Sequence, residues 1–194
     1  MTNLSQVAIF NNNIKTLHET SYDQSNNQYL TNSTVSAIDF DGVKNTYILS
    51  NSTISTSNMR SNDALVILDS TNGKFLFIEF KNGDIHSSLK KEEIRSKIAE
   101  SLLILNDIID EDLSFDRGHI NYILVYNRSN NPSFQNQRNN SLTRIANSLA
   151  SLSNMTYLIN GFDRYKAFFH DVKTINEIEF STIVTQIQNQ TYVF

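Results

Sequence analysis

The fold is decided by two short apolar runs, ALVIL at residues 64–68 and FLFIEF at residues 75–80. Continuous apolar runs of this length are typical of strands that are buried on both faces of a sheet. The Asn72-Gly73 pair between them is a strong hairpin signal. The sequence therefore predicts two paired antiparallel strands in the middle of a sheet that is covered on both sides.

The segments around this hairpin predict further strands and helices. Residues 88–110 form the clearest helix, capped by Ser87 or Ser88, because apolar residues recur there at helical spacing: Ile94, Ile98, Leu102, Leu105 and Ile109. Strands are predicted at 35–40, 45–56, 119–126, 156–159 and 166–172, with Asp41-Gly42 as a turn between the first two, and helices at 141–152 and 177–188. The helix at 88–110 permits a crossover to a parallel strand. We expect an α/β fold with a mixed central sheet sandwiched by helices.

Composition narrows the class of protein. The 194 residues suit a single domain, in which the segment 1–34 is either mobile or helical, with a short helix around Ile14–Tyr22. The chain contains no cysteine, so any metal must be held by oxygen or histidine ligands. The N-terminus lacks signal-peptide features, and no apolar run approaches the roughly 20 residues that span a bilayer. We expect a cytoplasmic protein with no membrane contact.

Net charge counts against one kind of nucleic-acid binder. The formal charge is −4, whereas proteins that bind nucleic acid mainly by neutralising phosphates usually have a basic balance. A metal-dependent nuclease remains compatible with this charge, because its own carboxylates lower the isoelectric point and its metal supplies positive charge.

Two charged residues interrupt the end of the second apolar run. Glu79 and Lys81 are two residues apart in a predicted strand and therefore share one face. Charges on a central strand are costly unless they are paired or functional. With a two-residue Asn72-Gly73 loop, Asp63 would lie opposite Asn82 and Glu79 would point to the other face. With a three-residue loop, Asp63 would lie opposite Lys81 and all three charges would converge; the sequence leaves both registers open.

The converging register has a clear chemical meaning. Two carboxylates on adjacent strands form an oxygen site suited to Mg²⁺ or Mn²⁺, and a neighbouring lysine can orient or deprotonate a water molecule or stabilise the phosphorus centre. Asp69, the rival carboxylate, lies six residues from Asp63, roughly 20 Å along a strand, and belongs to the turn. The alternative interpretation is a strand-end ion pair of Glu79 with Lys81, with Asp63 as a strand-start cap.

Asp63, the Glu79-Phe80-Lys81 triplet, the long helix and the following buried strand resemble the PD-(D/E)xK nuclease superfamily. The likeness covers about residues 35–160 and implies a restriction-endonuclease-like core that cleaves DNA, less often RNA, with a divalent metal. It implies that Asp63 and Glu79 hold the metal and that Lys81 is the catalytic lysine. Asn62 precedes Asp63 where the motif has proline. Many members add an acidic residue from an N-terminal helix, for which Glu19 is the candidate.

Other residues and partners follow from the same resemblance. Lys90, Lys91, Arg95 and Lys97 either contact phosphates beside the site or form a solvated helix face. Cutting both strands of a duplex would commonly need a homodimer. The competing functional hypothesis is a binding module, either a nuclease fold that has lost catalysis or an immunity-type interaction partner, which the acidic balance favours slightly.

Overall fold

A six-stranded sheet forms the centre of the computed structural model, which describes residues 7–51, 59–85, 87–132, 134, 136, 159 and 161–193. Its spatial order is β1 (Ile14–Thr16), β4 (Ser36–Asp39), β5 (Ala64–Asp69), β6 (Lys74–Lys81), β7 (Ile120–Tyr126) and β8 (Asp171–Asn176). Neighbours from β1 to β6 are antiparallel, and β6, β7 and β8 are parallel. A separate hairpin pairs β2 (Tyr22–Asp23) with β3 (Gln28–Tyr29). The predicted α/β class with a mixed sheet is confirmed.

Helices cover both faces of this sheet. They are α1 (Ala8–Asn11), α2 (Leu17–Thr20), α3 (Phe40–Ser50), α4 (Ser88–Ile109), α5 (Leu113–His119) and α6 (Glu177–Gln188), with a 3₁₀ helix at Phe162–Ala167. α4 packs its predicted apolar stripe on the face that carries Phe75 and Phe77. α6 packs Phe180 on the opposite face, with Leu76 and Ile78. No helix in the described parts of the chain is long and apolar enough to cross a membrane.

The β5–β6 hairpin forms as predicted, but its register matches neither predicted loop. Leu65 pairs with Phe77, which by extension sets Asp63 opposite Glu79. Asp69 pairs with Lys74, so the loop is longer than two or three residues, and a bulge follows Ile67. The Asp69 carboxylate accepts hydrogen bonds from the backbone N–H groups of Thr71 and Asn72 in this loop. Gly73 takes the left-handed conformation with φ 62°. The register still puts Asp63 on the same face as Glu79.

The strand predicted at 45–56 is wrong for residues 45–50, which belong to α3, and its residues 52–56 lie outside the described part of the chain. Asp39 caps the helix by accepting the N–H of Gly42 at 3.3 Å, so Asp41-Gly42 lies in the first turn and is no strand-joining turn. Phe40 and Val43 are buried and Tyr47 packs beside them, which is helical spacing. The β-branched residues that suggested a strand are tolerated in this helix because its inner face is apolar.

Smaller corrections concern the two ends of the chain. The helix expected around Ile14–Tyr22 is broken into strand β1, the four-residue α2 and the start of β2. The strand expected at 166–172 begins only at Asp171, because Phe169 reaches the core from the turn after the 3₁₀ helix. α5 occupies residues for which no element was predicted, between α4 and β7. The helix predicted at 141–152 lies outside the described residues, as does the strand predicted at 156–159 apart from residue 159.

Candidate active site

Four charged side chains meet where β5 begins and β6 ends. The Glu79 side chain is fully buried, and its Oε1 lies 2.9 Å from Lys81 Nζ. Lys97 Nζ, from α4, lies 2.7 Å from Glu79 Oε1 and 3.0 Å from Asp63 Oδ1. Asp63 and Lys97 are 16% and 14% exposed, and Lys81 is 20% exposed. Asp63, Glu79 and Lys81 thus converge as the functional interpretation required, with Lys97 as a fourth member.

Burial and mutual charge shift the ionisation of these groups. Burial, followed by repulsion from Glu79, raises the pKa of Asp63 to about 7, while Lys97, Lys81 and the Phe80 N–H oppose the rise. Burial lowers the pKa of Lys81, but attraction to Glu79 and Asp63 prevails and leaves that pKa above its ordinary value. The pKa of Lys97 is raised well above its ordinary value, since both carboxylates outweigh its burial. Both lysines are therefore ammonium ions at neutral pH.

Asp63 is fixed by the residues that precede it. The Arg60 N–H donates to Glu100, and the Asn62 N–H donates to Ser101 Oγ at 2.7 Å, so α4 holds this segment at two points. Just before β5, Asp63 Oδ2 accepts a hydrogen bond from the backbone N–H of Phe80 in β6 at 2.6 Å. The carboxylate is therefore oriented before any ligand arrives, which is what a preorganised site requires.

Side-chain amides fix the backbone just beyond Lys81. Asn127 Nδ2 donates to Asn82 Oδ1 at 2.7 Å, and Asn130 Nδ2 donates to Asn82 O at 2.7 Å. Asn131, which is fully buried, accepts the Ile85 N–H and donates to Gly83 O. These bonds tie the β6–α4 loop to the segment after β7 and so hold the end of β6 in place.

A cleft of about 320 Å³ opens over the cluster. Asp63, Phe80 and Lys81 line its floor. One wall is formed by residues 20–26 of the β2–β3 hairpin and the other by residues 82–85 with Lys90 and Glu93. Because Asp63 and Lys81 face this cleft, a bound molecule can reach them from solvent.

The remaining predicted site residues are spread more widely. Glu19 caps its own helix by accepting the N–H and Oγ1 of Thr16, both at 2.7 Å, and its described contacts include none of the four charged residues. Lys90 lines the cleft and donates to Asp84 O at 2.7 Å. Arg95 pairs with Glu92 at 3.6 Å, and Lys91 has no described contact with the cluster. Asp69 belongs to the turn, as predicted from its distance.

The sequence-based prediction missed two contributions from α4. Lys97 was expected at most to contact phosphate, but it bridges the carboxylates; Glu93 lies 3.4 Å from Lys81. A signal for both was present, because Glu93, Lys97 and Ser101 are spaced four apart and form a polar row beside the apolar stripe. That row lies over the strand ends that carry Asp63 and Glu79.

The donor set can hold a divalent cation, although it is small. Within the described ranges no group of three or more histidine, cysteine, aspartate or glutamate side chains is arranged to bind a metal ion. Mg²⁺, however, is often held by one or two carboxylates, with water and substrate phosphate completing its shell. Glu79 Oε2 is buried and accepts no hydrogen bond, so it keeps a free lone pair. Asp63 and Glu79 therefore fit Mg²⁺ or Mn²⁺, provided that Lys97 moves aside.

The arrangement combines two carboxylates that can hold a cation with two ammonium groups that can contact anionic oxygen atoms. No family model, curated protein or solved structure matches this chain. A function therefore has to be inferred from these side chains and the cleft above them.

Proposed function

We propose that this protein is a metal-dependent nuclease with a restriction-endonuclease-like core of the PD-(D/E)xK type, whose catalytic residues are Asp63, Glu79 and Lys81. One observation carries the proposal: the three residues of the motif converge in space, with Asp63 and Lys81 lining an open cleft and Glu79 buried behind them. The order of elements agrees with it, since β5, β6, α4, the short α5 and β7 follow one another with β6 and β7 parallel.

Asp63 and Glu79 are the residues that would hold Mg²⁺ or Mn²⁺. The bound cation supplies Lewis-acid activation of water and offsets the negative charge of the phosphate. The free lone pair of Glu79 Oε2 supports this role, because a buried carboxylate oxygen without a hydrogen-bond donor is costly unless it has another partner.

The side chains have distinct roles in the proposed hydrolysis. A water oxygen bonds to phosphorus while the bond to the leaving sugar oxygen breaks. One water proton ends on that leaving oxygen, which gives a phosphate monoester and a sugar hydroxyl. Lys81, the more exposed of the two lysines, donates hydrogen bonds to a non-bridging phosphate oxygen. Lys97 pairs with both carboxylates in the metal-free site and would give up these contacts when the cation binds.

DNA is the proposed substrate, and a homodimer the proposed form if both strands of a duplex are cut. Lys90 lines the cleft, Lys91 and Arg95 lie on the same helix, and these three are the proposed phosphate contacts. The first turn of α4 favours anions through the helix dipole, which supports phosphate contacts near Lys90.

A second function has an observation in its favour. The two lysines and two carboxylates cancel in formal charge and pair with one another, so the cluster is also a complete structural ion-pair network. Such a network would suit a nuclease fold that has lost catalysis and acts as a binding or immunity-type module.

A cleavage assay separates the two functions. Purified protein is incubated with plasmid DNA, single-stranded DNA and RNA in Mg²⁺, Mn²⁺ or EDTA. A nuclease should cleave at least one polymer with metal and none in EDTA. Glu79→Ala should abolish cleavage, and Lys81→Ala should reduce turnover ~10²-fold or more.

Asp69→Ala is the matched control, because it removes a carboxylate from the other end of the same hairpin. It should cleave at the wild-type rate. Cleavage that survives Lys81→Ala, or a wild type that cleaves none of the polymers with either metal, contradicts the proposed nuclease and favours the binding module.

A further inference from the structure

A row of aromatic rings lies on the β2–β3 hairpin. Tyr22 and Tyr29 are cross-strand partners with ring centroids 4.8 Å apart, and His18 stacks on Tyr29 at 3.9 Å. Tyr22 is 43% exposed and Tyr29 45% exposed. Large aromatic rings usually bury more of their surface, so this row offers ring area to a ligand.

Tyr22 belongs to the wall of the cleft that contains Asp63 and Lys81. The hairpin is anchored beside the cluster, because Asn82 Nδ2 donates to Gln28 Oε1 at 3.0 Å, and Asn82 directly follows Lys81. The Tyr22 hydroxyl donates to Asn27 Oδ1 at 2.9 Å, which fixes the ring. Tyr22 therefore lines the same cleft as Asp63 and Lys81, with its hydroxyl group held by Asn27.

The size of the cleft restricts what can enter. About 320 Å³ is at the lower end of small-molecule pockets, roughly 300–1,000 Å³. That volume has room for one nucleotide unit, so the cleft suits a single unpaired nucleotide whose phosphate reaches Lys81.

We propose that Tyr22 is a stacking platform for an unpaired nucleobase, and that the ligand of this cleft is single-stranded nucleic acid. The proposal that the adjoining phosphate is cleaved rests on the proposed function, whereas the stacking contact does not require catalysis. Every base has a π face, so one tyrosine ring can bind bases of any sequence.

The charges of the cleft add a second expectation. Its lining carries four carboxylates, Asp23, Asp63, Asp84 and Glu93, against the two lysines Lys81 and Lys90. Inside the cleft, phosphate neutralisation can therefore involve at most about two contacts, which predicts a slope of about −1.4 for log K against log salt for a short single strand that occupies only the cleft. Most of the affinity must come from stacking and should survive moderate salt.

The test measures binding by fluorescence anisotropy in EDTA, so that no cleavage occurs. The probes are a labelled single-stranded DNA of mixed sequence, its duplex, and an abasic strand of the same length. Wild type should prefer the first probe. Tyr22→Leu should weaken that binding by about 5- to 150-fold, the range for the loss of one stacked base, and Tyr22→Phe should retain it.

Tyr29→Leu is the matched control. It breaks the same ring pair and the same cross-strand contact, but Tyr29 does not line the cleft. Its effect should be clearly smaller than that of Tyr22→Leu. Equal losses in both variants would mean that the hairpin acts only through its fold, and would overturn the proposal. Equal binding of duplex or abasic strand, or no binding by the wild type, would also overturn it.

The two proposals fail in different ways. Suppose that the wild type binds the single strand through the Tyr22 ring but does not cleave it in Mg²⁺ or Mn²⁺. That result would contradict the proposed nuclease and would support the nucleobase site. Suppose instead that metal-dependent cleavage is unaffected by Tyr22→Leu and that duplex is cut as fast as single strand. That result would contradict the nucleobase site and would support the nuclease.

Discussion

Replacing Lys97 by methionine removes the cation between Asp63 and Glu79 at nearly constant side-chain volume. Lys97 Nζ is within 3.0 Å of both carboxylates, and only Lys81 would then remain to balance them. Loss of one partner from a buried ion pair costs about 3–5 kcal/mol. Because Lys97 is 14% exposed and not fully buried, we expect a loss at the lower end of this range. We expect about 3 kcal/mol less unfolding free energy at pH 8, or a melting temperature about 6–12 °C lower.

The pH dependence of this loss tests its electrostatic origin. Asp63 has a folded-state pKa of about 7, above its ordinary 3.8. A carboxyl group with a raised folded pKa contributes stability at low pH, and that contribution is lost as pH rises to the folded pKa. Without Lys97 this pKa rises further, so the variant should keep losing stability above pH 7, where the Asp63 contribution in the wild type levels off.

Urea unfolding between pH 5 and pH 9 measures both effects, with Lys91→Met on the same helix as the control. The Lys97→Met deficit should be largest at pH 8–9 and should shrink towards pH 5, whereas Lys91→Met should stay close to wild type at every pH. A deficit below about 1 kcal/mol at pH 8, or one that does not change with pH, would refute the inference that Lys97 compensates two buried carboxylates.

Three further changes test other parts of the structure. Burial raises the pKa of Asp116 to about 6, and its Oδ1 lacks a hydrogen-bond partner. Asp116→Asn should therefore raise the unfolding free energy by about 2–3 kcal/mol at pH 7 and change it little at pH 4. Urea unfolding at the two pH values measures this difference. Asn131→Ala should cost about 1–3 kcal/mol in the same assay, because Ile85 N–H loses its acceptor. Asp69→Ala should lower the unfolding free energy by about 1 kcal/mol, because the Asn72 N–H loses its hydrogen-bond acceptor.

The central hairpin and α4 could be predicted because their signals are local. The apolar runs of β5 and β6 are each continuous, and α4 shows helical periodicity with Ser87 as its cap, accepting the Lys90 N–H. Whether Asp63 and Glu79 converge depended on the register of the β5–β6 hairpin, and the local sequence did not decide between the possible registers. The observed register depends on the Asp69 side chain bonding to the turn and on the bulge after Ile67, and both form only in three dimensions.

The errors arose where tertiary packing overrides residue preference. Thr46 and Ile48 favour strands intrinsically, yet α3 forms because Asp39 caps it and Phe40 and Val43 pack into the core. The role of Lys97 was missed for a related reason. A lysine on a helix is usually solvated, and only the packing of α4 over the ends of β5 and β6 brings this one between two carboxylates.

Divalent-metal binding, measured by titrating Mn²⁺ into metal-free protein in a calorimeter, tests the central claim most directly. The account predicts that the wild type binds Mn²⁺ with release of protons, and that Glu79→Gln abolishes this binding while Asp69→Asn leaves it unchanged. The absence of binding heat in the wild type across buffers of different ionisation enthalpy, or the same binding in Glu79→Gln, would contradict a metal site formed by Asp63 and Glu79.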